Sequence, residues 1–147
     1  MLRSRPDPAL EIGAHERRHQ ALERATNRCA LTSVWIDHLH KTDPELGGAL
    51  DRSVVVQHPM VIAELSLGSI RNRASFVELL SNLPSTPAAT HDEVNRFIDR
   101  HALFGQGLSL VDAHLLASVM LAPGTRMWTS DKPLVAAAQR LGVAHQN

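Results

Sequence analysis

Short apolar runs rich in β-branched residues alternate with helical patterns from Cys29 onward. The clearest strand patterns are VVVQ at 54–57 and RMWT at 126–129, and a final edge strand is predicted at 143–145. Helices are predicted over about 34–41, 44–51, 59–67, 69–82, 90–103, 109–121 and 131–140. This alternation is typical of a parallel sheet flanked by helices, so the sequence predicts an α/β fold.

The predicted helices begin at residues whose side chains can accept hydrogen bonds from free backbone N–H groups. The predicted N-caps are Thr32 or Ser33, Asp43 before Pro44, Ser69, Thr90 with Glu93, Ser109 with Asp112, and Asp131. Thr90 with Glu93 and Ser109 with Asp112 have the spacing of a capping box, in which two side chains and two backbone N–H groups bond reciprocally.

Residues 1–28 differ from the rest of the chain and are predicted to be an N-terminal extension, helical or mobile, before a domain at 29–147. Pro6 and Pro8 interrupt its start, and residues 9–25 form a polar, helix-prone stretch. His15 and His19 lie in an H-E-x-x-H sequence, the pattern of a zinc-peptidase helix. Two arginines occupy its middle and no motif supplies a third ligand, so a zinc hydrolase is only the third hypothesis.

Composition narrows the function classes. The length of 147 residues suits one domain. The 15 Lys and Arg balance the 15 Asp and Glu, and this zero net charge excludes a nucleic-acid binder that works by bulk positive charge alone. Residues 1–30 hold six arginines and four acids, so the remaining chain is slightly acidic. Cys29 is the one cysteine, and no apolar stretch approaches the roughly 20 residues of a membrane span. A soluble, cytoplasmic protein without a membrane partner is therefore expected.

Three carboxylates stand at positions that favour a shared site. Glu64 lies in the apolar stretch MVIAEL, Asp112 opens an apolar helix, and Asp131 follows a strand. Each has a structural alternative: a salt bridge or exposed helix edge for Glu64, and a helix cap for Asp112 and Asp131. The last two belong at the carboxyl edge of a parallel sheet, where α/β folds place their sites. Such carboxylates suit Mg²⁺ or Mn²⁺, and phosphoryl transfer is the chemistry that site favours.

Several segments resemble PIN-domain ribonucleases, above all the VapC toxins of bacterial toxin–antitoxin pairs. These segments are TSVWIDHL (32–39), HPMVIAELSLGSIRNR (58–73), ATHDEV (89–94), GLSLVDAHLLAS (107–118) and MWTSDKPL (127–134). The resemblance implies a three-layer α/β/α domain with a mostly parallel sheet and a metal-dependent endoribonuclease activity. It also implies three partners: a VapB-type antitoxin, a second copy of the chain in a homodimer, and an RNA such as a tRNA.

The resemblance also assigns residues. Glu64, Asp112 and Asp131 fall on three of the four acidic positions of the family, and they would be both catalytic residues and ligands of Mg²⁺ or Mn²⁺. Thr32 and Ser33 fall on the supporting Thr-Ser pair that follows the first acid.

The first acidic position of the family is Leu31 in this chain, and leucine cannot coordinate a metal ion. Two explanations remain open: a divergent copy without catalysis, or an altered start of the chain in which the first strand has been replaced. The alternative function is accordingly a catalytically crippled PIN domain that binds an antitoxin or homologous chains.

Other side chains are better explained by structure than by chemistry. Trp35 and Trp128 lie in apolar elements and are predicted to be core anchors. His114 is predicted to be a satisfied core or rim histidine. Arg96 and Arg100 share a helical face and could contact phosphates, although a solvated surface is the simpler interpretation.

Overall fold

Three short strands and seven helices make up the part of the chain that the structure, a computed structural model, describes, residues 26–146. In chain order they are β1 (Asn27–Ala30), α1 (Thr32–His40), α2 (Pro44–Asp51), β2 (Val55–Val56), α3 (Pro59–Ser66), α4 (Arg73–Ser81), α5 (His91–Arg100), α6 (Leu110–Met120), β3 (Thr125–Trp128) and α7 (Lys132–Arg140). The helix-prone stretch at 9–25, expected to be helical or mobile, and the H-E-x-x-H sequence lie outside the described residues. Strand β1 begins two residues before Cys29.

The strands form one parallel sheet in the order β2-β1-β3, which confirms the predicted α/β fold with its parallel sheet. Cys29 of the central strand pairs with Val56 on one side and Met127 on the other. An isolated parallel bridge joins Met127 to Ala144, where an edge strand was expected. Since all strands are parallel, their carboxyl ends share one edge of the sheet, and the loops after them meet there.

Most predicted helix starts are confirmed by their hydrogen bonds. The side chains of Asp43, Thr90, Ser109 and Asp131 each accept from a backbone N–H in their helix, and the boxes of Thr90 and Ser109 are complete.

Two predicted caps were wrong. Helix α1 begins at Thr32 with Leu31 as its N-cap, so neither Thr32 nor Ser33 caps it. Helix α4 begins at Arg73 after Asn72, not after Ser69. Asn72 has a φ of 55°, a left-handed conformation that asparagine tolerates better than most residues, and this turn delays the helix.

The core lies between the sheet and the helices, and both tryptophans belong to it as predicted. Trp35 is 1% exposed and its Nε1 donates to the Ala30 carbonyl at 3.1 Å. Trp128 is also buried, with its ring 4.3 Å from that of His145. Helix α6 is buried continuously from residue 113 to residue 119, which fixes the direction in which its first turn projects. Over residues 26–146, none of the helices has the length and apolarity needed to cross a bilayer.

Candidate active site

Residues that follow β1 and β3 are joined at the carboxyl edge of the sheet. The Ser33 hydroxyl lies 3.3 Å from the Thr129 hydroxyl and accepts from the Ser130 N–H at 3.1 Å. The backbone N–H of Asp131 donates to the Thr129 hydroxyl at 3.1 Å. Ser33 therefore connects the start of α1 to the loop that carries Asp131, a supporting position in the structural sense.

Glu64 and Asp112 form the second feature of this edge, here called the carboxylate pair. The pKa of Glu64 is raised, first by partial desolvation of its carboxylate and then by the negative charge of Asp112. The Thr32 hydroxyl acts in the opposite direction and lowers that pKa. Helices α3 and α6 thus bring two like charges together beside the first residue of α1, a costly arrangement unless a cation lies between them.

Glu64 lies on the exposed edge of α3, one of the alternatives that its apolar sequence context left open. Helix α3 turns Val61 and Leu65 into the core, whereas Ala63 and Glu64 are exposed. With 3.6 residues per turn, a helix of eight residues cannot bury every side of an apolar sequence against one sheet. Exposure of Glu64 leaves it accessible to solvent and ligands.

Asp112 has two roles that sequence analysis treated as alternatives. One oxygen, Oδ2, accepts from the Ser109 N–H at 2.9 Å as the acid of the capping box. Among the residues described, its other oxygen accepts no hydrogen bond, and its charge acts on Glu64. Because α6 is buried beyond this turn, the half-buried side chain is held in place by both the cap and the core.

Asp131 is not assembled with the carboxylate pair. Its Oδ2 accepts from the Leu134 N–H at 3.3 Å and caps α7, and the residue is exposed. Within residues 26–146, no three side chains of His, Cys, Asp or Glu are grouped to hold a metal ion. Glu64 and Asp112 interact at this edge, whereas no interaction of the Asp131 carboxylate with either of them is found among the described residues, so a shared site for all three stays a prediction.

The N-termini of α6 and α7 nevertheless lie side by side. A Cβ at Gly107, just before α6, would lie 4.0 Å from Pro133 in the first turn of α7. Gly107 has a φ of +76°, a left-handed conformation that favours glycine. The segment that leads into α6 therefore packs on the first turn of α7, and the N–H groups at a helix N-terminus favour anionic ligands.

Leu31 and Thr32 differ sharply at the end of β1. Leu31 is 3% exposed and packs in the core, while its N–H donates to the Trp128 carbonyl at 2.9 Å. The Thr32 hydroxyl is buried and makes no hydrogen bond of standard length and angle in the described part of the chain, although it lies close enough to Glu64 to lower the pKa of that carboxylate. The position of the missing acid is therefore filled by an apolar side chain, and the next residue offers an oxygen beside Glu64 without a well-formed hydrogen bond.

Sequence analysis missed a buried group here called the Ser118 network. The Ser118 hydroxyl donates to the His114 carbonyl at 2.8 Å and accepts from the Ala89 N–H at 3.1 Å and from His58 Nε2 at 3.0 Å. His58 Nδ1 accepts from the Met60 N–H at 3.0 Å, so the ring is neutral with its hydrogen on Nε2. A serine within the apolar α6 sequence was the signal that could have revealed this network.

Two further expectations concern histidine and arginine. His114 is buried, with Nε2 3.3 Å from Nδ1 of His91, so it is a core histidine as predicted.

Arg96 and Arg100 are exposed and line an open groove of about 400 Å³ that also contains Glu93. Nothing in this groove connects the two arginines to the carboxylate pair.

Comparison with known proteins gives one clear relationship. Over 113 residues the chain is 50% identical to Ribonuclease VapC32 of Mycobacterium tuberculosis strain CDC 1551, and equally to the protein of that name in strain H37Rv. The match covers 77% of this chain and 91% of the relative. No protein-family model matches the sequence.

Proposed function

The chain belongs to the VapC-type PIN ribonucleases, and on that premise we propose that it is a toxin that hydrolyses RNA phosphodiesters with the help of Mg²⁺ or Mn²⁺. The observation that carries this proposal is the carboxylate pair beside the buried Thr32 hydroxyl, which interacts with Glu64 but has no hydrogen bond of standard geometry among the described residues. Three oxygen-bearing side chains from three helices face one another, with a repulsion that a divalent cation would relieve.

The residues present fit a hard cation. Carboxylate and hydroxyl oxygens are the ligands that Mg²⁺ and Mn²⁺ prefer, and these ions complete their shell with water. Glu64 and Asp112 would hold the ion, and the Thr32 hydroxyl would bond to a water in its shell. Asp131, which caps α7, would have to leave its cap to join them. When bound, the ion supplies Lewis acidity and a water of lowered pKa.

The chain's own residues supply positioning. The paired N-termini of α6 and α7 favour a phosphate at the carboxyl edge of the sheet. Ser33 holds the loop of Thr129 and Ser130, and so fixes the start of α7. Among the described residues, Asp112 keeps Oδ1 without a hydrogen bond because its cap uses Oδ2 alone.

The test is RNA cleavage by the purified chain with Mg²⁺ or Mn²⁺ and with chelator. Asp112→Asn retains an oxygen for the cap but loses the charge, so it should abolish cleavage and leave the unfolding midpoint nearly unchanged. Asp51→Asn changes an exposed acid at the end of α2 and is the matched control. Equal cleavage by both variants contradicts the assignment of Asp112.

The buried Leu31 side chain favours a second candidate function, a PIN domain that binds partners without cleaving RNA. The two candidates are separated by comparing the chain with its Leu31→Asp variant in the same assay. Cleavage by the unaltered chain supports the ribonuclease. If the unaltered chain is inert and Leu31→Asp cleaves, the binding module is the function of this chain.

A VapB-type antitoxin and a second copy of the chain are the proposed protein partners. Exposed apolar side chains support a protein partner: Ile36 is 39% exposed and Leu39 45% exposed on α1. They line a groove of about 330 Å³ that continues to Ile70. Size-exclusion chromatography of the chain alone and with an antitoxin tests both partners separately.

A further inference from the structure

A second polar site lies on the sheet itself, away from the acids. Arg28 of β1 and Arg126 of β3 are direct partners in the parallel register. Like charges directly opposite each other on neighbouring strands destabilise a sheet unless an opposite charge compensates them. In residues 26–146 neither arginine has a carboxylate within 4.0 Å, since the one close contact found there between a basic and an acidic side chain joins His145 and Glu45.

Hydrogen bonds fix one side of this arginine pair. Arg28 Nε donates to His145 Nδ1 at 3.1 Å, and His145 Nε2 lies 2.8 Å from a carboxylate oxygen of Glu45. Because Nδ1 accepts, the neutral ring carries its hydrogen on Nε2 and donates it to Glu45. The His145 side chain is 5% exposed, so burial and these hydrogen bonds hold it in one orientation beside Arg28.

The second arginine is held by the backbone. Arg126 donates from one terminal nitrogen to the Gly142 carbonyl at 3.1 Å. A guanidinium has five N–H donors in a planar fork. In the described part of the chain, Arg28 and Arg126 each use one donor in these bonds and keep the others available.

Both arginines line a cavity of about 290 Å³ together with Thr26, His145 and Gln146. No carboxylate contributes to this lining, in contrast to the groove beside α5, where Glu93 accompanies Arg96 and Arg100. The lining is therefore rich in hydrogen-bond donors and carries the charge of two guanidinium groups. That combination is suited to a tetrahedral oxyanion, which guanidinium forks bind bidentately.

We propose that Arg28 and Arg126, supported by His145, form a binding site for a phosphate group. Two sources have this chemistry: a backbone phosphate of RNA, or a free phosphate such as inorganic phosphate or the phosphate of a nucleotide. The site is built from β1, β3 and the segment after α7, and it does not include Glu64, Asp112 or Asp131. It therefore does not depend on the catalytic proposal.

The test uses the full chain with chelator, so that no cleavage occurs. Inorganic phosphate is titrated against chloride at equal ionic strength, and the Nε–H signals of Arg28 and Arg126 are followed by NMR. Saturable shifts with phosphate alone are expected. Arg126→Gln should raise the dissociation constant by about tenfold or more, since it removes charge-assisted hydrogen bonds. Arg126→Lys keeps the charge without the fork and should give an intermediate value.

Arg96→Gln is the matched control, because it removes one exposed arginine from a different groove. Equal weakening by Arg96→Gln and Arg126→Gln, or identical shifts with chloride and phosphate, would overturn the proposal. A short single-stranded RNA then separates the two sources. If Arg126→Gln weakens RNA and inorganic phosphate by similar factors, the site binds the RNA backbone, and if only inorganic phosphate is affected, the ligand is a free phosphate.

Discussion

Helix α6 carries two polar groups that differ in whether their hydrogen bonds are complete. In the Ser118 network every donor meets an acceptor: Ser118, His58 and the backbone of Ala89 are all satisfied at 2.8–3.1 Å. In the carboxylate pair, at the first turn of the same helix, the charge of Asp112 raises the pKa of Glu64, and the Thr32 hydroxyl beside them makes no hydrogen bond of standard geometry among the described residues.

This difference distinguishes polar groups that stabilise the fold from polar groups that can bind a ligand. A complete buried network stabilises one arrangement of the core and has no remaining capacity for a ligand. An incomplete one costs free energy in the absence of a ligand, and a cation with its water can supply the missing interactions. The same helix therefore anchors the fold through Ser118 and presents a site through Asp112.

The largest change in stability is expected from Leu31→Asp, which adds a third carboxylate at the end of β1, next to Thr32 and the carboxylate pair. Leu31 is buried in the core, so without metal the variant should lose about 4 kcal/mol of unfolding free energy through an uncompensated charge. Saturating Mg²⁺ should restore a large part of that loss, because it binds the folded state alone. Urea unfolding with chelator and with Mg²⁺ measures both effects.

Leu31→Asn is the control for Leu31→Asp, since it has nearly the same shape and no charge. It should be destabilised in both conditions with little response to Mg²⁺. An equal Mg²⁺ response in the Asn and Asp variants would mean that residue 31 does not face the carboxylate pair.

The next largest effect is expected from Ser118→Ala in the complete network. The substitution leaves His58 Nε2–H and the Ala89 N–H without an acceptor, at about 1–3 kcal/mol each, so a loss of about 3 kcal/mol is expected. Ser81→Ala removes an exposed hydroxyl that donates to the Val77 carbonyl and should stay within about 0.5 kcal/mol. Equal losses in chemical denaturation would show that the Ser118 network contributes no particular stability.

A smaller loss of folding stability is expected when the pH is lowered. The pKa of His58 is lowered from 6.5, first by burial and then by the charge of His114, so the unfolded chain binds a proton more readily than the folded one. His58 therefore stabilises the fold fully at neutral pH, and this contribution falls as pH drops below 6.5 toward its folded pKa. The limiting slope is about 1.4 kcal/mol per pH unit for one proton.

His58→Asn isolates this contribution. Asparagine can still cap α3 but does not titrate, so the variant should lose less stability than the parent chain between neutral pH and pH 5. The pKa of His114 is also lowered, by burial and then by His91, so part of the acid sensitivity should remain. His40→Asn, an exposed change on α1, should leave the profile unchanged, and a profile of His58→Asn parallel to the parent would contradict the prediction.

Much of the fold could be predicted because its signals are local. The capping boxes at Thr90 and Ser109 depend on residues three apart, and the parallel sheet follows from the alternation of strands and helices. The wrong start of α4 came from a turn in which Asn72 is left-handed, a conformation that an asparagine permits but does not require.

The candidate site was predictable only in part. The elements that carry Asp112 and Asp131 predicted the edge of the sheet at which both lie, but the exposure of Glu64 depends on which side of α3 the core covers. The direction of the Asp131 side chain depends on its hydrogen bond to Leu134, which sequence spacing permits but does not require. The Ser118 network joins residues 60 positions apart, so the serine in the apolar α6 sequence signals a buried hydroxyl but no local pattern identifies its partners.

The smallest predicted effect has the opposite sign to the others. The pKa of Glu64 is raised, so its ionised form is disfavoured in the folded state, and stability falls as pH rises through that pKa. Glu64→Gln removes the repulsion by Asp112 and should stabilise the metal-free chain by about 0.3 kcal/mol at pH 7, a small gain because the residue is exposed. The gain should vanish near pH 4, where the unaltered side chain is protonated.

With Mg²⁺ the parent chain should be more stable than the Glu64→Gln variant, the reverse of their order without metal. The ion stabilises the parent by binding the carboxylate pair, and Glu64→Gln has lost one of the two charges, so its unfolding midpoint should rise less. Glu78→Gln, an exposed glutamate on α4, should match the parent at each pH and with Mg²⁺. If Glu64→Gln and Glu78→Gln gave the same results, Glu64 would be an ordinary surface acid, and the distinction between the incomplete and the complete network of α6 would not hold.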